Sequence, residues 1–251
     1  MARYFLSVAY QGSAYAGFQV QQNAVTIQSE LERAMAVYFR EPVGLTGSSR
    51  TDKGVHAVEN YFHFDFAYYD PSAWQHHIYH INAILPPDIV VLAVRLVRDG
   101  AHCRFDALSR EYEYRIYQHK NPFLDQRAYF FPFKLDLDAM RSAAAMLMEY
   151  DDFSSFSKRN TQVKTFICNI MVSEWICKDD CLIFHVQADR FLRGMVRGLT
   201  GTMLRVGTGK VSVPNFAAII DSKDCTQADF SVPAHGLYLM KVAYPDDIFI
   251  G

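Results

Sequence analysis

Strand-like and helix-like periods alternate along this chain, and after Asp99-Gly100 the alternation starts again. The first half reads strand, helix, strand, helix, strand. In residues 4–10, Tyr4, Leu6, Val8 and Tyr10 alternate with Phe5, Ser7 and Ala9, the period of two expected of a strand. A loop rich in Gly, Ser and Ala follows. Thr26 is placed to cap a helix over 27–39 that puts Ile27, Leu31, Ala34, Met35 and Tyr38 on one face, with Pro42 and Gly44 ending it. Tyr61, Phe62, Phe64 and Phe66 give 60–66 strand propensity. Pro71-Ser72 opens a second helix through Trp74, Ile78 and Ile81 to Leu85, which Pro86-Pro87 breaks. Residues 89–97 form an apolar strand.

The second half begins with a strand over 110–117, with Tyr112 and Tyr114 on one face and Glu111, Glu113 and Arg115 on the other. Asp136 caps a helix reaching 148, with Met140, Ala144 and Leu147 inward. Residues 166–175 and 181–188 form a hairpin around Lys178-Asp179-Asp180. A helix is expected over 191–206, a short one from Ser212-Val213-Pro214, and a closing strand over 237–243. This grammar predicts an α+β fold of two units, 1–100 and 101–251, on antiparallel sheets.

With 251 residues, half of them hydrophobic, the chain can bury roughly 70–75% of its unfolded surface without a disulfide or metal. Its 15 Tyr and 19 Phe belong mainly to a β-rich core, with a few rings left to stack on nucleobases. A formal net charge of −2 argues against a protein that coats nucleic acid nonspecifically, though not against a local basic face. The five cysteines are scattered, without the paired spacing of a zinc site, and read as reduced thiols of a cytosolic protein. There is no signal region at the N-terminus and no run near the ~20 apolar residues of a membrane span.

Several apparent motifs dissolve on inspection. Gly12-Ser13-Ala14-Tyr15-Ala16-Gly17 has Ala14 where a dinucleotide loop needs its middle glycine. Gly207-Thr208-Gly209-Lys210 has Leu204 and Val211 where a phosphate loop needs Gly and Ser or Thr. His76 and His80 stand one helical turn apart but have no third ligand, so they read as a polar helix face.

The loop Gly47-Ser48-Ser49-Arg50-Thr51-Asp52-Lys53-Gly54-Val55-His56-Ala57 is of another kind. It sets one carboxylate, Asp52, between glycines and beside Arg50, which can pair with that carboxylate or with a phosphate. Two further segments add weight. Arg104 and Arg110 flank a basic and aromatic strand entry. Arg190, Arg193 and Arg197, at spacings of three and four, would share one helix face among apolar neighbours. An arginine drawn inward there needs an anion, and Asp52 is a candidate partner.

Taken together, these segments resemble the bacterial TruA-type tRNA pseudouridine synthases. The likeness runs in order through Gly17-Phe18-Gln19, Thr26-Ile27-Gln28, Arg50-Thr51-Asp52-Lys53-Gly54-Val55-His56-Ala57, Arg104-Phe105 and Arg110-Glu111-Tyr112-Glu113-Tyr114. It continues through Asp152-Phe153-Ser154-Ser155-Phe156, Phe191-Leu192, Met195-Val196-Arg197 and Pro233-Ala234-His235-Gly236-Leu237-Tyr238. The resemblance implies two RRM-like (ferredoxin-like) halves whose sheets join into one extended antiparallel sheet around an active-site cleft. It also implies a cytoplasmic homodimer acting on tRNA, at uridines 38, 39 and 40 on the 3′ side of the anticodon stem-loop. By the same resemblance Asp52 is the essential carboxylate, Tyr112 contacts the target uracil and Arg197 pairs with the carboxylate. Arg50 helps the base leave the stack, and Leu237 walls the pocket. Ser49 stands where the family often has Gly, and Lys53 where it often has Ala.

Uridine and pseudouridine are isomers, so the conversion needs no redox cofactor, group donor or metal. The C1′–N1 bond must break and C5 must join C1′. A carboxylate can attack C1′, stabilise charge on the sugar, or remove the 2′ proton. Water must be kept from the released base. Flipping a stem uridine out costs a few kcal/mol, which phosphate contacts from Arg104, Arg110 and Lys164 would offset. Two other readings compete: a non-catalytic RNA-binding protein, which would not need Asp52, and a glycosidase pairing Asp52 with Asp65.

Overall fold

The computed structural model describes residues 1–67, 73–159 and 163–250. The chain divides into two units, Met1–Leu108 with Leu239–Gly251, and Ser109–Tyr238. Both combine helices with mainly antiparallel strands, consistent with an α+β protein. The first unit contains β1 (Ala2–Tyr10), α1 (Ile27–Phe39), β2 (Thr46–Gly47), β3 (His56–Phe66), α2 (Trp74–Ile84) and β4 (Ile89–Leu96). The second holds β5 (Ser109–Tyr117), β6 (Tyr129–Phe130), α3 (Leu137–Met146), β7 (Ile170–Lys178), β8 (Cys181–Ala188), α4 (Met195–Gly207) and α5 (Val213–Asp221). The last strand, β9 (Leu237–Ala243), enters the first unit at Leu239.

In the first unit β1 lies between β3 and β4, antiparallel to both, with Tyr4 opposite Phe64 and Leu96. β9 lies beside β3 on its other side. The alternation read in 4–10 sorts the strand onto two covered faces. Tyr4, Leu6 and Val8 are fully buried, and the Tyr4 ring sits 5.0 Å from Trp74 of α2 and 5.7 Å from Phe64. On the opposite face Phe5 packs 5.1 Å from Tyr244 and 6.1 Å from Phe249, beyond β9. That tail is tied down by Ile250 N–H donating to Leu96 O and Arg98 N–H to Ile248 O, each at 3.0 Å.

α1 starts where Thr26 predicts. The Thr26 hydroxyl accepts from Ser29 N–H and the Ser29 hydroxyl from Thr26 N–H, a reciprocal cap. The helix ends at Phe39 as expected, with Arg40 in the left-handed region (φ 61°) as its C-cap ahead of Pro42. The expected opening of α2 at Pro71-Ser72 lies outside the described residues. His76 and His80 contact edge to face at 4.4 Å on α2, and His77 Nδ1 meets Tyr38 Oη at 2.8 Å, linking α2 to α1. β3 begins at His56 rather than at 60, because residues 57–60 already pair with β1.

In the second unit β8 is central, antiparallel to β5 and β7, and the short β6 runs parallel to β5. Asp179 and Asp180 both take positive φ (51° and 60°), the two-residue turn that matches the twist of a hairpin. Asp136 caps α3 by accepting from Ala139 N–H at 3.0 Å, and Ser212 caps α5 through Asn215 N–H at 3.3 Å. On β5 the charged face is internally paired, Arg115 with Glu113 at 2.7 Å and His185 with Glu111 at 3.0 Å, while Tyr112 and Tyr114 are buried.

Two expectations need correction here. The strand expected over 166–175 begins only at Ile170. Residues 166–169 bond elsewhere: Phe166 O accepts from Phe153 N–H, and Cys168 N–H donates to Asp151 O. The helix expected over 191–206 begins at Met195, behind Gly194 with φ 77°, a conformation that glycine adopts at little cost. Arg190 and Arg193 therefore precede the helix, and the three arginines do not form one helical stripe.

Asp152 anchors the Asp152-Phe153-Ser154-Ser155-Phe156 motif. Its Oδ1 accepts from Ser154 N–H and Oγ–H at 3.0 and 2.6 Å, and Lys223 Nζ lies 2.8 Å from Oδ2. Partial burial pushes this carboxyl up, but Lys223 and Ser154 together hold it below the ordinary value of 3.8. Because the folded value is depressed, its stabilising contribution is complete above 3.8 and is lost as pH falls through the lowered value. Lys223 is mostly exposed, so the effect is small. Urea unfolding of Asp152→Asn should therefore show a stability deficit at pH 6 that shrinks on acidification. A deficit independent of pH would contradict this.

Candidate active site

The Asp52 loop is held by its backbone, from several sides of the first unit. Ser48 N–H donates to Tyr61 O at 2.8 Å. The Asn60 amide donates to Ser49 O at 2.9 Å and to Tyr10 Oη at 3.1 Å, and Tyr10 Oη meets Thr51 Oγ1 at 2.9 Å. Phe18 N–H donates to Thr51 O at 3.1 Å. After Asp52 the chain reverses: Val55 N–H donates to Asp52 O at 3.1 Å, with Gly54 at φ 83°, the glycine position of a type II turn. His56 closes the loop by accepting at Nδ1 from Gly12 N–H at 3.1 Å.

This clamp fixes the main chain on both sides of Asp52 and leaves the side chains of the loop's tip outward. Asp52 is half-buried, while Arg50 and Lys53 are exposed. Among the described residues Arg50 and Asp52 are not ion-paired with each other. The Ser49 hydroxyl is buried without a hydrogen bond. Asp65, the carboxylate a glycosidase reading would need, is held by Arg3 at 2.7 and 2.8 Å, and that guanidinium keeps its pKa below the ordinary range.

The second unit carries Arg197, Tyr112 and Leu237. Arg197 lies in the first turn of α4, half-buried. Its Nε and Nη2 donate to Val232 O at 2.9 and 2.7 Å, and Nη2 also reaches Phe230 O at 3.4 Å. The Nη1 edge makes none of these bonds. The sequence explains the arrangement. A side chain at Gly198 would meet the Phe230 ring at 2.7 Å, and one at Gly201 would meet Asp229 O at 2.2 Å. The two small residues let 229–232 lie against the helix and bring Val232 O to the guanidinium.

The same segment continues to Pro233 O, which accepts from Tyr114 Oη–H at 2.6 Å, and to the buried Leu237. Burial raises the Tyr114 pKa well above the tyrosine range, so its hydroxyl stays a donor. Tyr112, two residues away on the same face of β5, is buried with its ring 5.0 Å from Phe191, edge to face. The structure thus groups Arg197, Leu237 and the Tyr112 face of β5 around 229–237, within one unit.

The residues expected to meet phosphate are more scattered. Arg104 is exposed, its guanidinium 5.7 Å from the ring centre of the exposed Phe105. Arg110 donates to Asp189 O at 3.0 Å, and Lys164 is exposed. Reading the sequence alone missed the clamp of Tyr10, Thr51 and Asn60. A fully buried amide in an aromatic strand was the available signal, since a buried polar group must find partners.

A family model described as tRNA pseudouridine synthase matches residues 143–245. Proteins named tRNA pseudouridine synthase A are similar to this chain over its whole length. The one from Porphyromonas gingivalis is 44% identical and the alignment covers 100% of both chains. The one from Bacteroides fragilis is 44% identical over 98% of each. The Staphylococcus aureus protein is 38% identical over 96% of this chain and 90% of that one. These alignments take in both the clamped Asp52 loop and the Arg197 helix, and the chain belongs to the tRNA pseudouridine synthase family.

Proposed function

We propose that this protein isomerises uridine to pseudouridine in tRNA, with Asp52 as the reacting carboxylate. The observation that carries the reading is a carboxylate set on a backbone-clamped turn, in a chain whose relatives across its full length bear the pseudouridine synthase name. In the reaction the C1′–N1 bond breaks, the base turns, C1′ joins C5, the C5 proton leaves to solvent and N1 gains a proton. A fixed main chain around Asp52 holds its carboxylate in one place against C1′ or the 2′ position, which lowers the entropic cost of the encounter.

In this reading Arg197 faces Asp52 with its Nη1 edge while Val232 O and Phe230 O hold the rest of the guanidinium. Tyr112 and Leu237 wall off the flipped base from water, and Arg50, exposed on the loop, takes part in drawing it from the stack. Arg104, Arg110 and Lys164 contact phosphates. The two units then act as RRM-like halves of one extended sheet with the cleft between them. The enzyme works as a cytoplasmic homodimer on uridines 38, 39 and 40 of the anticodon stem-loop. No helix among the described residues is long and apolar enough to cross a membrane, which is compatible with that setting.

The test is tritium release from tRNA labelled at uridine C5, followed by mapping of the modified nucleotides. Stoichiometric release with pseudouridine at 38–40 is the expected result. Tight tRNA binding with no release would favour a non-catalytic RNA-binding protein instead. Binding should also weaken steeply with salt despite the formal charge of −2, because the phosphate contacts come from a few local cations. An affinity unchanged between low and moderate salt would remove Arg104, Arg110 and Lys164 from this role.

A further inference from the structure

His63 of β3 and the adjacent pair His102 and Cys103, which follow β4, converge inside the first unit. One ligand atom from each lies within 4.8 Å of the others. Cys103 is fully buried and His63 is 7% exposed. His63 Nδ1 is 3.2 Å from Cys103 Sγ, and the two imidazole rings meet edge to face at 4.5 Å. A tetrahedral zinc with Zn–S near 2.3 Å and Zn–N near 2.0–2.1 Å separates its sulfur and nitrogen ligands by about 3.6 Å. The sulfur and nitrogen here are within a few tenths of an ångström of that spacing. We propose that His63, His102 and Cys103 bind Zn²⁺, with the fourth position left to water.

Chemistry favours zinc over harder ions. One thiol and two imidazoles form a soft and borderline donor set, unsuited to Mg²⁺ or Ca²⁺. His63 Nδ1 already acts as an acceptor inside the cluster, taking Cys103 N–H at 3.4 Å. The nearby Arg3 is neutralised by its two bonds to Asp65. Binding would replace the Cys103 thiol proton, now directed at Thr46 O (3.1 Å), and release it to solvent. It would also rearrange the small contacts in which His63 Nδ1 accepts from Cys103 N–H (3.4 Å) and His102 Nδ1 from Arg104 N–H (3.1 Å). The main chain that carries two of the ligands is already held: Asp106 Oδ2 accepts from the His102 backbone N–H at 2.8 Å, and Tyr244 Oη–H donates to Cys103 O at 2.5 Å. Such an ion would pin β3 to the segment leaving β4.

The test uses the full chain, freed of metal by a chelator, in a Cys177→Ala, Cys225→Ala background that removes the more accessible thiols. Co²⁺ titration should give one tetrahedral ion with a thiolate-to-cobalt charge-transfer band, displaced by Zn²⁺. Zn²⁺ should raise the midpoint of thermal unfolding. His102→Gln should weaken Zn²⁺ more than about tenfold, Cys103→Ala should abolish the charge-transfer band, and His76→Ala should change neither. An octahedral cobalt spectrum without the thiolate band would overturn the proposal in the unmutated ligand set, whatever the variants do. Equal Zn²⁺ affinity in His102→Gln would overturn it as well.

Discussion

Asp52→Asn is expected to bind tRNA as the unmodified enzyme does and to lose turnover by about 10⁴-fold or more, the scale set by removing a group that takes part in bond making. The exchange is nearly isosteric. It leaves every contact of the clamp untouched, because the loop is held by Thr51 O, Ser49 O, Ser48 N–H and the Asp52 main chain rather than by the carboxylate. An amide cannot attack C1′, balance charge on the sugar or take the 2′ proton, so all three routes fail together. Single-turnover tritium release and filter binding on the same preparation separate the two quantities. Turnover within tenfold of the unmodified enzyme would remove Asp52 from the chemistry. Loss of binding in step with turnover would instead mean that the carboxylate holds the loop.

Phe18→Ala is expected to cost the first unit about 3–5 kcal/mol, the range for deleting a buried phenyl ring. Phe18 is 1% exposed and stacks on Phe62 of β3 at 4.4 Å, nearly parallel at 14°. It also fills the space above Gly47, where a Cβ would come within 2.1 Å of the ring. Its main chain connects two elements as well, donating to Thr51 O and accepting from Gln28 N–H of α1. Truncation leaves a cavity under the start of the Asp52 loop. Urea unfolding should show the first unit melting earlier, and hydrogen exchange at Ser48 and Phe18 should speed up. A loss below about 1 kcal/mol would mean that the loop and α1 close over the space left by the ring.

Much of the local structure was legible because its signals are local. Thr26, Asp136 and Ser212 all cap helices, and Asp179-Asp180 forms the hairpin turn, since each needs only a side chain and its own neighbouring backbone. The alternation in β1 likewise reported two distinct faces. It could not report that one face is covered by helices and the other by Tyr244 and Phe249, because periodicity names a face and not its neighbour. The start of α4 was misread for a related reason. Arg190, Arg193 and Arg197 have helical spacing, but the left-handed Gly194 between them is set by how Leu192 and Arg193 turn, with Met195 N–H on Leu192 O and Lys158 N–H on Arg193 O.

In the site, the sequence pointed to Asp52 as a residue type in a suggestive loop, and Arg197 through its apolar surroundings. What holds them sits on other elements: Asn60 of β3 and Tyr10 of β1 for one, Val232 O for the other. Carbonyl acceptors leave no mark in a sequence, since every residue carries one.

The strand that lies beside β3 arrives from Leu239 onward, after the whole of Ser109–Tyr238 has been made. On the ribosome, the half that carries Asp52 must therefore wait, with only the two-residue β2 paired to β3 beyond β1, while the other half emerges. A nascent chain in that state exposes Phe5 and the rim of β3, the kind of surface on which trigger factors and holdases act. Synthesis of this enzyme should thus depend on chaperones until the final strand docks, and the unit that carries the Asp52 loop gains a finished sheet only after the other half has been translated.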